Sequence, residues 1–426
     1  MSTHPSKEYK LVHEHIESIL PRIERRPTKG IPFPYLAVAY SRHYAGFFYC
    51  WDHHHMAMRF ACAGKPEYLR HGIDNMLYCQ RTDGFTPFLI SPKDGANGTP
   101  SDCHAQPFVM QGALMYISRT GDTAWLERQY DKLLKYLRYY ELRYRAPHGL
   151  FRWTGSVVSG FDNDVVTTFF QPGTIIPVDI NAWLYLEYRS ASGLARLRGK
   201  KKDAVEFLQK AKNLRAAIQQ TLWYAKAESY SAYDLCAQEP RFHYKDLYLD
   251  KSVGYYAFQT CSNLIPLYAG IPDNKQARAM LKRYVLSEKH FLSPYGIRSL
   301  SRSSEYYNNA VWGNPPRFGD HRRLTNSNWQ GPVWIPLCYF MFHALRRYGF
   351  RREAADLAGR TIHVLAQSLA RTGSFTENFH GDTGEPLYAP GFASWNILAD
   401  LMPSELKTGR WIMEPVLRQP DRRFLT

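Results

Sequence analysis

Two loop carboxylates carry the surroundings that acid–base chemistry needs. Asp162 lies in TGSVVSGFDNDVV (154–166), directly after Gly160 and Phe161, in a stretch with little other charge. A carboxyl shielded from water there pays a penalty for ionising. Its pKa rises, and it becomes a proton donor near neutrality. Glu377 lies in GSFTENFHGDTGEP (373–386), flanked by Phe375 and Phe379. If that segment is extended, residues 375, 377 and 379 share one face and the carboxylate projects beside two rings. Glycoside cleavage asks for such a pair: one carboxyl protonates the departing oxygen while the other activates water or attacks carbon. Local sequence leaves other roles open. Asp-Asn-Asp is also turn chemistry, so an Asx turn or a helix N-cap fits Asp162, and Asp164 competes with it. Glu377 fits an ordinary loop carboxylate, and Asp382 and Glu385 read as turn and surface residues.

A third carboxylate, Asp52, sits in CWDHHH (50–55). It reads either as the cap of the helix that follows or as an acceptor for sugar hydroxyls, with Trp51 stacking nearby. His53, His54 and His55 resemble a metal cluster, but neighbours on a helix point in different directions, so no metal is assigned. Phe85, Gln106, Trp312, Arg317, Trp329, Gln330 and Trp334 are the remaining substrate-binding candidates. Trp329 and Trp334 flank Gly331-Pro332 where a helix is expected to begin. Many of the 30 Tyr, 23 Phe and 10 Trp fall in Gly/Pro-rich loops rather than on periodic faces, which hints at rings that stack on sugars. The sequence has no GxSxG elbow, HExxH, P-loop or supported dinucleotide fingerprint, and no cofactor is expected.

The elements that must position these residues are helices. Helical periodicity marks twelve, near 7–20, 53–64, 66–81, 105–119, 123–145, 178–197, 201–223, 252–268, 274–286, 329–348, 351–371 and 392–402. Several form tight hairpins. Gly121 caps one helix and Asp122 or Thr123 starts the next. Gly199 and Tyr348-Gly349 make two further turns, and Pro272 suits the first turn of the helix after AGIPD. The leading helix of each pair is richer in bulky apolar residues and the trailing one is more charged, which suits an inner and an outer layer. Six such pairs predict an all-α (α/α)6 toroid, with residues 1–426 as one catalytic domain. The long loops at 21–52, 82–104, 146–177, 224–250, 288–328 and 372–391 would then gather around one mouth.

Composition narrows the class. Hydrophobic residues make up 45% of the 426, enough for a substantial core. The N-terminus lacks the charged-then-apolar run of a signal peptide, no apolar stretch is long enough to span a bilayer, and the seven cysteines show no CxxC spacing. A reduced, cytoplasmic chain is expected. The net charge of +16 is dispersed, with runs at 196–203 and 346–353 that suit helix ends and turns. No nucleic-acid signature interleaves aromatics with these runs, and no membrane partner is expected. The expected partner is a small carbohydrate, and an anionic one stays open. Oligomeric state is not legible.

Five stretches, in order, resemble the clan that includes trehalases and glycoside hydrolase family 63. They are WD (51–52); DGFTPF with HAQPF (83–108); SGFDN (159–163) followed by VDINAWLYLEY (178–188); PLYAGIP (266–272) with YGIRSLS (295–301); and NWQGPVWIP (328–336) with FTENFHGDTGEP (375–386). The resemblance runs from about residue 50 to the end. It implies the (α/α)6 toroid, hydrolysis of an α-glycosidic bond with inversion, Asp162 as general acid and Glu377 as general base. Inversion would set the two carboxyls roughly 6.5–9.5 Å apart. It also implies that Trp51, Asp52 and Gln106 hold the non-reducing sugar, and that Arg317 and Trp329 face the aglycone. The length resembles that of short members such as mannosylglycerate and glucosylglycerate hydrolases, whose anionic aglycone suits a basic chain. The sequence departs from the family pattern at two points. Gln330 stands where Arg is frequent before Gly-Pro, and Asp164-Val165 stands where Ser-Pro follows Asp-Asn.

Two other classes fit a toroid. A sugar epimerase or a polysaccharide lyase would work on the same scaffold, and an epimerase would want a histidine pair at the sugar, for which His43, His104 or His380 are available. A non-catalytic carbohydrate-binding protein is the third reading.

Overall fold

A computed structural model describes residues 6–95, 103–155, 158–168, 173–235, 248–250, 255–256, 258–311 and 327–418, with backbone alone at 45, 168, 248–250 and 255–256. The helices, in chain order, are α1 (Lys7–Ile23), α2 (Cys50–Cys62), α3 (Glu67–Tyr78), α4 (Val109–Thr120), α5 (Thr123–Arg143), α6 (Val165–Thr168), α7 (Val178–Leu197), α8 (Lys201–Ala217), α9 (Cys261–Ala269), α10 (Asn274–Met280), α11 (Ile335–Arg347), α12 (Arg351–Thr372), α13 (Leu401–Thr408) and α14 (Glu414–Leu417). A 3-10 helix spans Ser394–Asp400.

These elements form the all-α toroid. Along α9 and the Ser394–Asp400 segment every residue is buried, and so is almost all of α2 and α11. A helix apolar on all sides belongs in the middle of a protein. With α4 and α7 these make six inner helices. Neighbours pack in sequence around the ring: α4 on α7, α7 on α9, α9 on α11, α11 on Ser394–Asp400, and that segment on α2. The last gap closes where Gly112 of α4 approaches the His54 ring of α2; a Cβ at Gly112 would lie 3.4 Å from His54 Nδ1. The outer helices bury only a stripe. In α8 it is Ala204, Phe207, Ala211 and Leu214, at the three- and four-residue spacing of one helical face. The sixth pair is not a hairpin. It joins the two ends of the chain, with α1 packed on Ser394–Asp400 and on α12.

Local chemistry sets the turns. The Asp122 carboxylate accepts the Trp125 N–H at 3.0 Å and caps α5, after Gly121 (φ 68°) has ended α4. Before α10 the cap is Asp273, which forms a capping box with Gln276, so Pro272 precedes the cap rather than opening the helix. Gly199 (φ 73°) and Gly349 (φ 85°) make the other two expected turns.

Several predicted boundaries moved for physical reasons. The helix expected from 329 begins only at Ile335. Pro332 has no N–H and disfavours helix in the residue before it, and Val333 is used in bridges to Arg298 and Phe379. The helix expected from 252 begins at Cys261, and Tyr255–Tyr256 are strand. Residues 392–402 are divided between the 3-10 helix and α13. β-structure is slight. Its largest piece is a four-stranded patch ordered Ile175–Ile176, Tyr233–Asp234, Tyr255–Tyr256, Tyr248–Asp250.

Candidate active site

Residues at or before the starts of α2, α4, α11 and the 3-10 helix converge with two loops on a cavity of about 530 Å³ that is open to solvent. Its lining includes Cys50, Trp51 and Asp52 from the start of α2, and Gln106 just before α4. Gly160 and Asp162 come from the loop before α7, Trp329 and Trp334 from the segment before α11, Glu377 from the loop after α12, and Trp395 from the 3-10 helix. Tyr49 and Phe88 complete it. Four of the six long loops expected at the mouth, 21–52, 82–104, 146–177 and 372–391, thus supply the lining; among the described residues, 224–250 and 288–328 supply none.

Asp162 rides on a tight turn. Gly160 (φ 83°) and Asn163 (φ 62°) are both left-handed, and the Asp164 N–H donates to the Phe161 carbonyl at 3.0 Å. Gly160 also sits close against Trp51: a Cβ there would lie 3.2 Å from the Trp51 ring. The backbone carbonyl of Asp162 accepts the Trp329 N–H at 3.1 Å. Among the described residues no side-chain donor reaches its carboxyl. Much of the side chain is open, but what it opens onto is the cavity. The enclosing protein still penalises the anion, and its pKa is pushed up to about 7 by burial alone.

Glu377 is anchored through its backbone, its N–H donating to the Tyr388 carbonyl at 2.7 Å and its carbonyl accepting the Trp395 Nε1–H at 3.2 Å. Its carboxylate accepts a hydrogen bond from the Tyr44 hydroxyl. Burial pushes the pKa up, to about 8; the Tyr44 bond opposes this, while repulsion from Asp52 and Asp162 adds to it. The rings beside the carboxylate are not those expected. Phe375 and Phe379 are fully buried and point elsewhere, Phe375 against His15. Tyr44 and Trp395 take their place. Tyr44 sits at φ 66° in a 3-10 turn (His43–Gly46), an unusual backbone for a bulky residue.

Asp52 is in the first turn of α2, not at its cap; Tyr49 occupies that position and caps nothing. The Asp52 carboxylate instead accepts the Ser394 hydroxyl at 2.6 Å, and burial pushes its pKa up to about 7. Three carboxyls therefore share one cavity. Around them Trp329 and Trp334 stack at 4.2 Å with planes 10° apart, Trp329 meets Phe161 at 4.6 Å, and Trp51 meets Trp395 at 5.5 Å.

The other candidates are sorted by place. Trp51, Asp52, Gln106, Trp329 and Trp334 line the cavity with Asp162 and Glu377. Gln106 is held by its own amide, its Oε1 accepting from Cys50 Sγ at 2.7 Å and its Nε2 donating to the Val158 carbonyl at 3.3 Å. Phe85 packs away from the cavity against Tyr139 and His104. Gln330 lies behind the lining, fully buried. Trp312 and Arg317 fall outside the described residues. Asp164 is buried and accepts from the Val166 N–H at 3.2 Å, so the turn-and-cap role belongs to it. Asp382 is no loose surface residue: it pairs with Arg298 at 2.8 Å and accepts the Tyr307 hydroxyl at 2.9 Å. His53, His54 and His55 go separate ways, His53 bonding the Leu36 N–H and the Tyr68 carbonyl while His54 and His55 pack on Phe108. His43, His104 and His380 do not line the cavity; His104 is enclosed by Tyr136, Tyr139 and Tyr140.

Sequence reasoning missed Tyr44, Tyr49, Phe88, Ser394 and Trp395. The dense aromatic run at 44–51 was the available signal for the first two. Trp395 and Ser394 sit in a segment whose apolar pattern reads as buried helix, which it also is.

Three carboxyls in one aromatic-lined cavity of a helical toroid are the groups that glycoside cleavage uses. Residues 47–395 match the family described as the mannosylglycerate hydrolase MGH1-like glycoside hydrolase domain, and the chain belongs to it. A mannosylglycerate hydrolase from Rubrobacter radiotolerans is 30% identical over 213 residues, a stretch that spans half of this chain and 40% of that relative. The fold matches that of the glycoside hydrolase family 63 mannosylglycerate hydrolase from Thermus thermophilus (TM-score 0.71, 18% identity, 92% of this chain and 100% of that one). It also matches the neutral trehalase Nth1 from Saccharomyces cerevisiae (TM-score 0.61, 13% identity, 97% of this chain and 84% of that one). No helix among the described residues is long and apolar enough to cross a membrane.

Proposed function

We propose that this protein hydrolyses a small α-glucoside or α-mannoside with inversion, with Asp162 as general acid, Glu377 as general base, and an anionic acid such as glycerate as the aglycone. The observation that carries the reading is the unequal treatment of the two carboxyls. Among the described residues nothing donates to the Asp162 carboxyl, and burial raises its pKa to about 7, which favours the protonated form. Tyr44 donates to Glu377 and favours the anion there. Both values run high, and the pair titrates as a unit with Asp52. Burial is the main cause of the rise at Glu377; Asp52 and Asp162 add repulsion, and only the Asp162 share falls away once Asp162 holds a proton. In this state Asp162 donates to the glycosidic oxygen while Glu377 takes a proton from the water that attacks the anomeric carbon from the opposite face. Trp51, Asp52 and Gln106 face the sugar, and Trp329 faces the aglycone.

The anionic aglycone is supported by the relatives and by the net charge of +16. Among the described residues the lining carries no Lys or Arg. The epimerase reading favours a histidine pair at the sugar, and among the described residues no histidine lines the cavity.

The test is proton NMR of fresh reactions over a panel of α-glucosides and α-mannosides, glycosylglycerates and the neutral glycosylglycerols included. The expected first product is the β-anomer of the free sugar, with the glycerates turned over faster. An α-anomer appearing first would overturn inversion. Normal turnover by Asp162→Ala or Glu377→Ala would overturn the assignments, and ligand binding without any turnover would favour a binding protein.

A further inference from the structure

We propose that segment 328–334, a turn followed by a bridged residue, is a brace that sets the spacing between acid and base, and that Gln330 is the positioning residue holding Asp162 on it. This rests on the reading of Asp162 and Glu377 as acid and base.

One end of the segment holds the acid turn: the Trp329 N–H donates to the Asp162 carbonyl at 3.1 Å, and Gln330 Nε2 donates to the Asn163 carbonyl at 2.9 Å. Both consecutive carbonyls of the acid turn are thereby tied down, and one belongs to a residue in the left-handed region. The other end holds the stretch that carries the base. The Val333 N–H donates to the Phe379 carbonyl at 2.7 Å and the Phe379 N–H returns to the Val333 carbonyl at 3.1 Å, two residues past Glu377. Four residue steps separate Trp329 from Val333, a reach of at most about 14 Å. The span has little freedom to slacken. Trp334 Nε1 donates to the Asn328 carbonyl at 3.0 Å, and the two indoles at its ends stack on each other.

Gln330 suits this place because its amide is two-ended. While Nε2 donates to Asn163, Oε1 accepts from Asn308 Nδ2 at 2.8 Å, and the Asn308 N–H donates to the Gln330 carbonyl at 3.0 Å. An all-donor side chain could not accept from Asn308. The next residue, Asn309, accepts the Gly381 N–H at 2.6 Å, so the same loop is fastened to the chain just beyond Glu377. Gln330 touches neither cavity nor substrate space. It acts through the acid turn.

A misplaced acid hurts substrates in proportion to their need for leaving-group protonation. The test compares kcat and KM on an α-glycosyl fluoride, which needs little such help, with those on the α-glycosylglycerate or methyl α-glycoside that the anomeric screen shows to be turned over. Gln330→Ala is expected to lose about tenfold to a hundredfold in kcat on the glycoside, with KM within about threefold, and to keep fluoride hydrolysis within about threefold. Asp162→Asn should show the same selectivity more strongly. Equal losses on both substrates by a folded Gln330→Ala, or no loss on either, would overturn the positioning role. If Gln330→Ala does not fold, Asn308→Ala is read on the same pair, and absence of leaving-group selectivity there overturns it. Full glycoside turnover by Asp162→Asn would instead overturn the acid assignment on which the proposal stands.

Discussion

At the scale of single residues, Tyr44 and Asp52 pull Glu377 in opposite directions. The Tyr44 hydroxyl supports the Glu377 anion, and the Asp52 charge opposes it. The acid limb of a kcat/KM profile reports ionisation of the base. Tyr44→Phe removes a donor, raises the Glu377 pKa and should move that limb to higher pH by about one pH unit. Asp52→Asn removes a negative charge, lowers the pKa and should move it down by a similar amount. Measured profiles in which both variants move the limb the same way would contradict the assignment of Glu377 as base. Asp162 and Glu377 were legible as candidates because each stands in a charge-poor, aromatic setting. Tyr44 was not, because its partner lies 333 positions away along the chain. The expected partners of Glu377 failed for a related reason. Alternation along a strand places Phe375, Glu377 and Phe379 on one face only if the strand is regular. Here only isolated bridges form, both at Phe379, to Val333 and to Pro386; the stretch is irregular, and both rings turn into the core.

At the scale of elements, the decisive piece is one that helical periodicity mislabelled. The apolar run from Trp329 onward reads as helix, yet its first six residues form a folded-back, non-helical link between two loops. Gly331 shows why the span admits little change: a Cβ there would lie 2.2 Å from the Asn308 carbonyl oxygen, a backbone atom. Gly331→Ala should therefore displace the 304–310 loop and loosen the hold of Gln330. The expected result is a cost of about 1–3 kcal/mol in denaturant unfolding together with a fall in kcat. Unchanged unfolding and unchanged kcat would show that the loop yields freely. The Gly-Pro pair was visible in the sequence, and it did signal a boundary. What it could not reveal was on which side the helix lay, since that depends on Val333 finding Phe379.

At the scale of the whole molecule, the toroid closes through its ends. Arg59 of α2 is buried and forks onto Asp400, with Nε at 2.8 Å and Nη2 at 2.7 Å, and it also meets Glu17 of α1. His13 of α1 reaches the same Asp400 at 2.8 Å. A helix near the start, the first inner helix and the last inner segment are joined at one carboxylate. Removing Arg59 leaves Asp400 buried without its main partner. Arg59→Ala should cost about 3–5 kcal/mol, seen as a lower denaturant midpoint with the site geometry otherwise intact. A loss below about 1 kcal/mol would mean that water or His13 replaces the guanidinium.

Across these scales, the sequence by itself determined the helices, most of their turns and their two-layer character. These follow from period, caps and the contrast between apolar and charged neighbours, all of which act within a few residues. It also marked Asp162, Glu377 and Asp52 as the carboxylates worth watching. Only the tertiary structure decided that all three meet in one cavity, that Tyr44 donates to Glu377 and Ser394 to Asp52, that Phe85 and Gln330 stand outside the lining, and that the sixth pair unites the chain ends. Those facts depend on contacts between segments far apart in the chain, and no local period or turn preference encodes which distant segment a loop will meet.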